Sequence, residues 1–292
     1  MIRVNWLGCV VCAAGALVFL LTGAARADLF VGTYTPPVEY DNDISDGVVI
    51  LHDSAVTLTV ARNSPTELTA TITGEVGPVT IALTQSGQRA TATGAPIAYA
   101  GWNLLEFAMV SDGTNKAFLM VGQDASDPTD IGFMVSSWSE ATEPITPSDI
   151  VGTWAVRPYS DSNLLYLGDG FEEEHAVSAA FVQIGIDRVH LTAIPAEGQP
   201  LSADMLVSGN IVSLINPPVA HSHLLRMATD GDTMAGCSVG VEIDDPTDVS
   251  VGVFLGSPVP EPASLSLLVL GALGLIRRSP RGGGQKGDRL LF

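Results

Sequence analysis

His221 and His223 stand two residues apart, a spacing that on a β-strand puts both imidazoles on one side, where they could share a metal ion. No third ligand follows at a recognisable spacing, and the pair comes just after Pro217-Pro218, so an exposed loop is the plainer reading. Cys9 and Cys12 have the C-x-x-C spacing of redox and zinc sites, but they lie in an apolar segment expected to be removed. In Asp41–Gly47, DNDISDG, acids fall at the first, third and sixth positions. An EF-hand needs a bidentate Glu where this chain has His52, so the template fails. Asp124–Asp130 and Asp244–Asp248 each hold an Asp-Pro step and read as turns, with proline fixing φ and Asp bonding to nearby backbone. A looser Ca²⁺ site stays open at all three stretches. His190 falls on the polar face of RVHLTAI, and His175 follows the solvated charge run Glu172–Glu174. Between residues 28 and 260, the region left once both chain ends are trimmed, G-x-S-x-G, H-E-x-x-H, the Walker loop and G-x-G-x-x-G do not occur. The expectation is therefore no enzyme, no cofactor and no metal site.

The elements that would position these residues are strands. AVTLTVA sets Val56, Leu58 and Val60 against Thr57 and Thr59, and ELTATIT sets Leu68, Ala70 and Ile72 against threonines. VTIALT puts Val79, Ile81 and Leu83 on one side. A period of two with threonine opposite the apolar face marks half-buried antiparallel strands. Gly209-Asn210 between two apolar runs predicts a hairpin. Outside the two chain ends, no long stretch has helical periodicity.

The chain also repeats itself. VGTY at Val31–Tyr34 returns as VGTW at Val151–Trp154, and Leu104-Leu105 as Leu224-Leu225, both offset by 120. Ser111–Gly113 returns as Thr229–Gly231, and DPTD at Asp127–Asp130 at Asp245–Asp248, both offset by 118. Four matches in one order with consistent offsets point to duplication. By this alignment Cys237 stands where the first copy has Leu119, so it is expected to be a buried, inert thiol. The expected fold is all-β, two duplicated antiparallel β modules forming barrels or sandwiches, each burying its own core. Module 1 is placed at 28–138, a Pro-containing linker at 139–148 and module 2 at 149–257.

Gly152 and Trp154, with Gly32 and Tyr34 in the first copy, resemble the Gly-x-Trp motif that opens the first strand of lipocalin-like β-barrels. That resemblance implies a barrel whose indole closes one end. It also implies, as a second functional reading, a small apolar ligand held in each barrel mouth.

Both ends of the chain read as targeting segments. Arg3, the apolar run Leu7–Leu21 and a small-x-small site at Ala25-Arg26-Ala27 predict a signal peptide over residues 1–27. At the other end, Pro260-Glu261-Pro262 precedes fourteen apolar residues, 263–276, and then Arg277-Arg278. Fourteen falls short of the roughly 20 that a permanent span needs, which predicts transient membrane insertion, and the cations hold the far end in the cytoplasm. The whole chain has 32 acidic and 13 basic residues. Taking residues 28–260 alone removes two acids and seven bases, leaving 30 and 6, a charge of about −24. Such a field repels nucleic acid and anionic lipid, so a nucleic-acid partner is excluded.

Val259, Pro260, Glu261, Pro262, Ala263 and Ser264, with Arg277 and Arg278, closely resemble the PEP-CTERM sorting signal of bacterial exported proteins, placed here at 258–281. The resemblance implies processing by a membrane exosortase near the triplet. It implies delivery to the surface or extracellular matrix of a Gram-negative-type cell, with extracellular polysaccharide or the envelope as partner. Residues 282–292, read as a disordered tail, depart from that pattern, which usually stops soon after the arginines.

Overall fold

The computed structural model describes residues 28–34, 38–43, 48–53, 56–74, 77–92, 97–99, 101–127, 131–161, 171–173, 177–194, 201–215, 224–241 and 249–260. Residues up to Pro258 form one compact unit and residues 259–292 a second, nearly all of which falls outside the described residues.

The first sheet contains β1 (Gly32–Tyr34), β2 (Val38–Asp43), β3 (Val48–Asp53), β4 (Thr57–Arg62), β5 (Glu67–Gly74) and β6 (Gly77–Ser86). It continues with β7 (Arg89–Ala92), β8 (Ile97–Tyr99), β9 (Trp102–Ser111), β10 (Asn115–Asp124) and β11 (Ile131–Ser139). Its order is β1-β4-β5-β6-β7-β9-β10-β11-β2-β3, with β8 on β9. This is a half-barrel whose path begins on β1 and returns on β2, the next strand in sequence.

A one-turn helix, α1 (Pro147–Ile150), then leads into β12 (Gly152–Asp161), β13 (Glu172–Glu173), β14 (Val177–Gln183), β15 (Arg188–Ile194) and β16 (Leu201–Ser208). After these come β17 (Ile211–Leu214), β18 (Leu224–Thr229), β19 (Met234–Val241) and β20 (Val249–Pro258). These run β13-β12-β14-β15-β16-β17-β18-β19-β20, and β20 pairs back onto β12, closing an eight-stranded up-and-down barrel. The helix was not legible as periodicity, being four residues long. It is set by Thr146, whose amide and hydroxyl both donate to Asp149 Oδ2 at 2.7 and 2.8 Å.

The duplication extends to topology. The start of β12 pairs with β14 as β1 pairs with β4, while its later part pairs with β20 and β13 as β2 pairs with β11 and β3. From there β4-β5-β6-β7-β9-β10-β11 and β14-β15-β16-β17-β18-β19-β20 correspond one to one. The predicted Gly209-Asn210 hairpin joins β16 to β17, and Gly87-Gln88 joins β6 to β7 in the same way, both glycines at φ 60°. Tyr34 and Trp154 fill the same buried position. The Tyr34 hydroxyl donates to the Phe30 carbonyl at 2.6 Å, and the Trp154 indole N–H to the Ile150 carbonyl at 2.9 Å.

Sequence alternation holds where a strand has one wet face. Leu58 and Val60 of β4, Leu68, Ala70 and Ile72 of β5, and Ile81 and Leu83 of β6 are all buried. It breaks down in β9–β11 and β18–β20, which are covered on both sides. One face of these strands, including Phe107, Met109 and Phe118, lines the first module's interior, and Met227, Met234 and Phe254 line the second's. The other face builds a third core from Ala108, Ala117, Leu119, Val121, Ile131, Ala235, Cys237, Val251 and Val253. Each module therefore buries a core of its own, as expected from the repeat length, and the two also share a third. Small residues in that shared core let the two sheets approach closely.

Candidate functional site

The predicted positions are largely scattered. Cys237 is fully buried in the shared core, where burial pushes its thiol up to about 12. His190 lies on the outer face of β15, with Nδ1 2.6 Å from Asp204 Oδ1 and Nε2 2.8 Å from Ser202 Oγ. Asp124 Oδ1 accepts from the Ser126 amide and hydroxyl, each at 2.6 Å, and from the Asp127 amide at 3.1 Å, an Asx turn. Those bonds, from the Ser126 hydroxyl first, hold its carboxyl below the usual range. Asp41, Asn42 and Asp43 belong to β2. His175, His221, His223, Ile44–Gly47, Pro128–Asp130 and Asp244–Asp248 lie outside the described residues, as do Ala25 and Ala27. Among the described residues no group of three His, Cys, Asp or Glu side chains could hold a metal ion. Val259 and Pro260 are exposed just past β20, whereas Glu261, Pro262, Ala263, Ser264, Arg277 and Arg278 are not described.

What the structure brings together is a cleft of about 240 Å³ between the modules. The β6–β7 hairpin supplies Ser86, Gly87, Gln88 and Arg89, β12 supplies Arg157, Pro158 and Tyr159, and Glu173 comes from β13. Arg89 reaches across from the first module. Its Nη2 donates to Glu173 Oε2 at 3.1 Å, and its guanidinium carbon sits 4.4 Å from the centre of the Tyr159 ring. The same ring stacks with Phe171 at 5.3 Å and 20°. Burial raises the Tyr159 hydroxyl above its ordinary range, opposed by Arg89 and by a hydrogen bond to Thr91, and reinforced by Glu106 and Glu172.

Beside Tyr159 lies a carboxyl pair, Glu106 on β9 and Asp161 on β12. Burial, then the hydrogen bond to Asp161 and its charge, push Glu106 up to about 8. The two carboxyls are hydrogen-bonded, an arrangement that favours the protonated form of Glu106. Its Oε2 is buried without a partner. None of these six residues was flagged by spacing, because Arg89 and Glu106 come from one copy and Arg157, Tyr159, Asp161 and Glu173 from the other. The only available signal was that Arg89 and Arg157 are two of just six cations in residues 28–260.

The fold defines an all-β protein of two fused antiparallel modules, a half-barrel and a closed eight-stranded barrel, with a polar cleft where they meet. Residues 258–281 match the family model described as the PEP-CTERM protein-sorting motif. The motif marks an exported protein, handled by an exosortase and sent through the membrane to the cell surface in Gram-negative bacteria. No curated protein matches the chain significantly.

Among solved structures, the chain is similar to a protein of unknown function of the DUF3598 family from Nostoc punctiforme. That match has 10% identity and a TM-score of 0.37, covering 78% of this chain and 96% of the other. It is also similar to the siderocalin Ex-FABP, at 12% identity and a TM-score of 0.27, covering 49% of this chain and 98% of the other. Transferrin binding protein B from Neisseria meningitidis matches at 10% identity and a TM-score of 0.26, covering 72% of this chain and 53% of the other. None of these likenesses enters the functional reading.

Proposed function

We propose that this is a non-enzymatic protein of the cell surface or extracellular matrix, released from a membrane-inserted precursor. In this reading residues 1–27 are a cleaved signal peptide and residues 263–276 insert transiently in the membrane. The observation that carries it is a coincidence of boundaries: the sorting motif begins at Pro258, the last residue of β20. β20 thus ends where the sorting signal starts, so cleavage near the Pro260–Pro262 triplet leaves both modules whole. Among the described residues, no helix is long and apolar enough to cross a membrane, and residues 263–276 lie outside them. The test is a Glu261→Ala variant in the native host. It should accumulate uncleaved in the inner membrane, and normal sorting of the variant would refute the role given to the triplet.

A second reading, small-ligand binding, is favoured at the cleft more than in the barrel mouths. The barrel interior around Trp154, Phe181, Leu191, Met205 and Phe254 is filled by buried side chains, as in small eight-stranded barrels generally. The cleft instead offers Gln88, Arg89, Arg157 and Glu173 to a small polar molecule such as a sugar unit of a matrix polysaccharide. Native mass spectrometry of the purified protein should then detect a co-purifying species that Arg157→Ala abolishes; a bare mass for both proteins argues against it.

A further inference from the structure

At the tip of the β14–β15 hairpin the second module exposes large aliphatic side chains where the matching tip of the first does not. Val182 is 58% exposed, Ile184 49% and Ile186 93%, all at the tip of the β14–β15 hairpin; Val151 beside them is 48% exposed, and its counterpart Val31 in the first module 43%. The two tips correspond residue by residue. The amides of Ile184 and Gly185 donate to the Arg188 carbonyl as those of Asn63 and Ser64 donate to the Glu67 carbonyl. The first tip, however, carries Asn63, Ser64, Pro65 and Thr66 and is tied down by polar bonds. Asn63 donates to Thr69 at 2.6 Å, and Arg62 to the Ser64 and Pro65 carbonyls at 3.0 and 2.9 Å. The single acid in the second tip, Asp187, is paired with Arg188 at 3.7 Å.

The position of this tip relative to the end of β20 gives it a partner. Pro258 pairs with Trp154, which on its other side pairs with Ala179 of β14. β14 and the end of β20 therefore flank β12, about 10 Å apart. Because β20 and β14 both run antiparallel to β12, they point the same way. Past the level of Pro258, β14 and the residue after it run from Ala179 to Ile184, five residues or about 17 Å. The chain past Pro258 reaches Ala263, the first residue of the apolar run, in five steps, also about 17 Å when extended. A membrane that receives residues 263–276 cannot lie farther than this from the barrel, and the hairpin tip spans the same distance in the same direction.

We propose that Val182, Ile184 and Ile186 dock into the lipid interface of the membrane holding the precursor, seating the second barrel on the bilayer while the triplet awaits cleavage. This rests on the insertion of residues 263–276 put forward above. With a body charge of about −24, the contact is apolar, and salt should not weaken it.

The test uses the full-length precursor carrying Cys9→Ser and Cys12→Ser, in which the remaining native thiol, Cys237, is buried. Either Ile186→Cys or, as internal control, Pro65→Cys receives an environment-sensitive fluorophore. The protein is reconstituted in phosphatidylethanolamine–phosphatidylglycerol vesicles containing headgroup-region nitroxide lipid. Docking predicts several-fold stronger quenching at 186 than at 65, kept or strengthened in high salt, which screens the repulsion between the acidic body and phosphatidylglycerol. Equal quenching at the two positions overturns it, as does a label at 186 shielded by a second protein copy in a concentration-dependent manner. Carbonate extraction of the same vesicles reports insertion separately. Precursor that is washed off refutes both ideas, whereas retained precursor with an unquenched label at 186 refutes docking alone.

Discussion

Asn115 and Thr233 hold the same place in the two copies, and they touch: Asn115 Nδ2 donates to the Thr233 hydroxyl at 2.9 Å and to its carbonyl at 3.2 Å. Each ends an Asx turn, with Asp112 accepting from the Asn115 amide at 2.7 Å and Asp230 from the Thr233 amide at 2.8 Å. Contact between equivalent residues is the signature of a local two-fold relation. The packing of β10 on β19, of β11 on β18 and of β9 on β20 repeats it.

The first prediction concerns that contact. Asn115 is fully buried, so Asn115→Ala should cost about 1–3 kcal/mol in urea unfolding. A double-mutant cycle with Thr233→Val should show coupling of about 0.5–3 kcal/mol. Strict additivity would mean that the bond does not join the modules energetically.

Glu106 predicts a pH dependence. Its folded value of about 8 lies above the ordinary 4.5, so the folded state binds the proton more tightly than the unfolded chain. Its contribution to stability is fully present below pH 4.5 and is lost as pH rises to about 8. Glu106→Gln should flatten this decline, so that wild type and variant diverge in Tm as pH rises through that window. Parallel Tm–pH curves would contradict the assignment.

Gly236 predicts a steric limit. A Cβ there would meet Phe254 Cζ at 2.2 Å and the Arg226 carbonyl oxygen at 2.8 Å, because the Phe254 ring lies over its cross-strand glycine. Gly236→Ala should destabilise by about 1–3 kcal/mol, read by chemical denaturation. Gly209→Asn, at an open turn with φ 60°, should cost much less. Equal effects would show that the close approach does not constrain the barrel.

Much of the fold was legible because threonine alternation in β4 and β5 reports one wet face, and because Gly32/Tyr34 and Gly152/Trp154 recur in register. The shared core was not. In β9–β11 and β18–β20 both faces are apolar, so periodicity cannot say what covers the second one. Leu119 and Cys237 were recognised as equivalent core positions, yet the core they enter lies between the modules. The cleft was illegible for the same reason: Arg89 and Tyr159 are 70 residues apart and meet only through that packing. The exposed tip at Ile184 and Ile186 reads as an ordinary alternating strand until the turn at Gly185 is seen.

Cys237 predicts silence. With the thiol buried and pushed up to about 12, the folded body should resist thiol reagents at pH 8, with labelling appearing only on unfolding. Rapid labelling under native conditions would show that the shared core opens readily.

Mass spectrometry of the protein recovered from the cell surface or medium of its native host tests the central claim most directly. An exported body released from its sorting signal should begin at Asp28 and end near the Pro260–Pro262 triplet. Recovery there of peptides covering Gly282–Lys286 in stoichiometric amount would show that the tail is retained and would contradict the account.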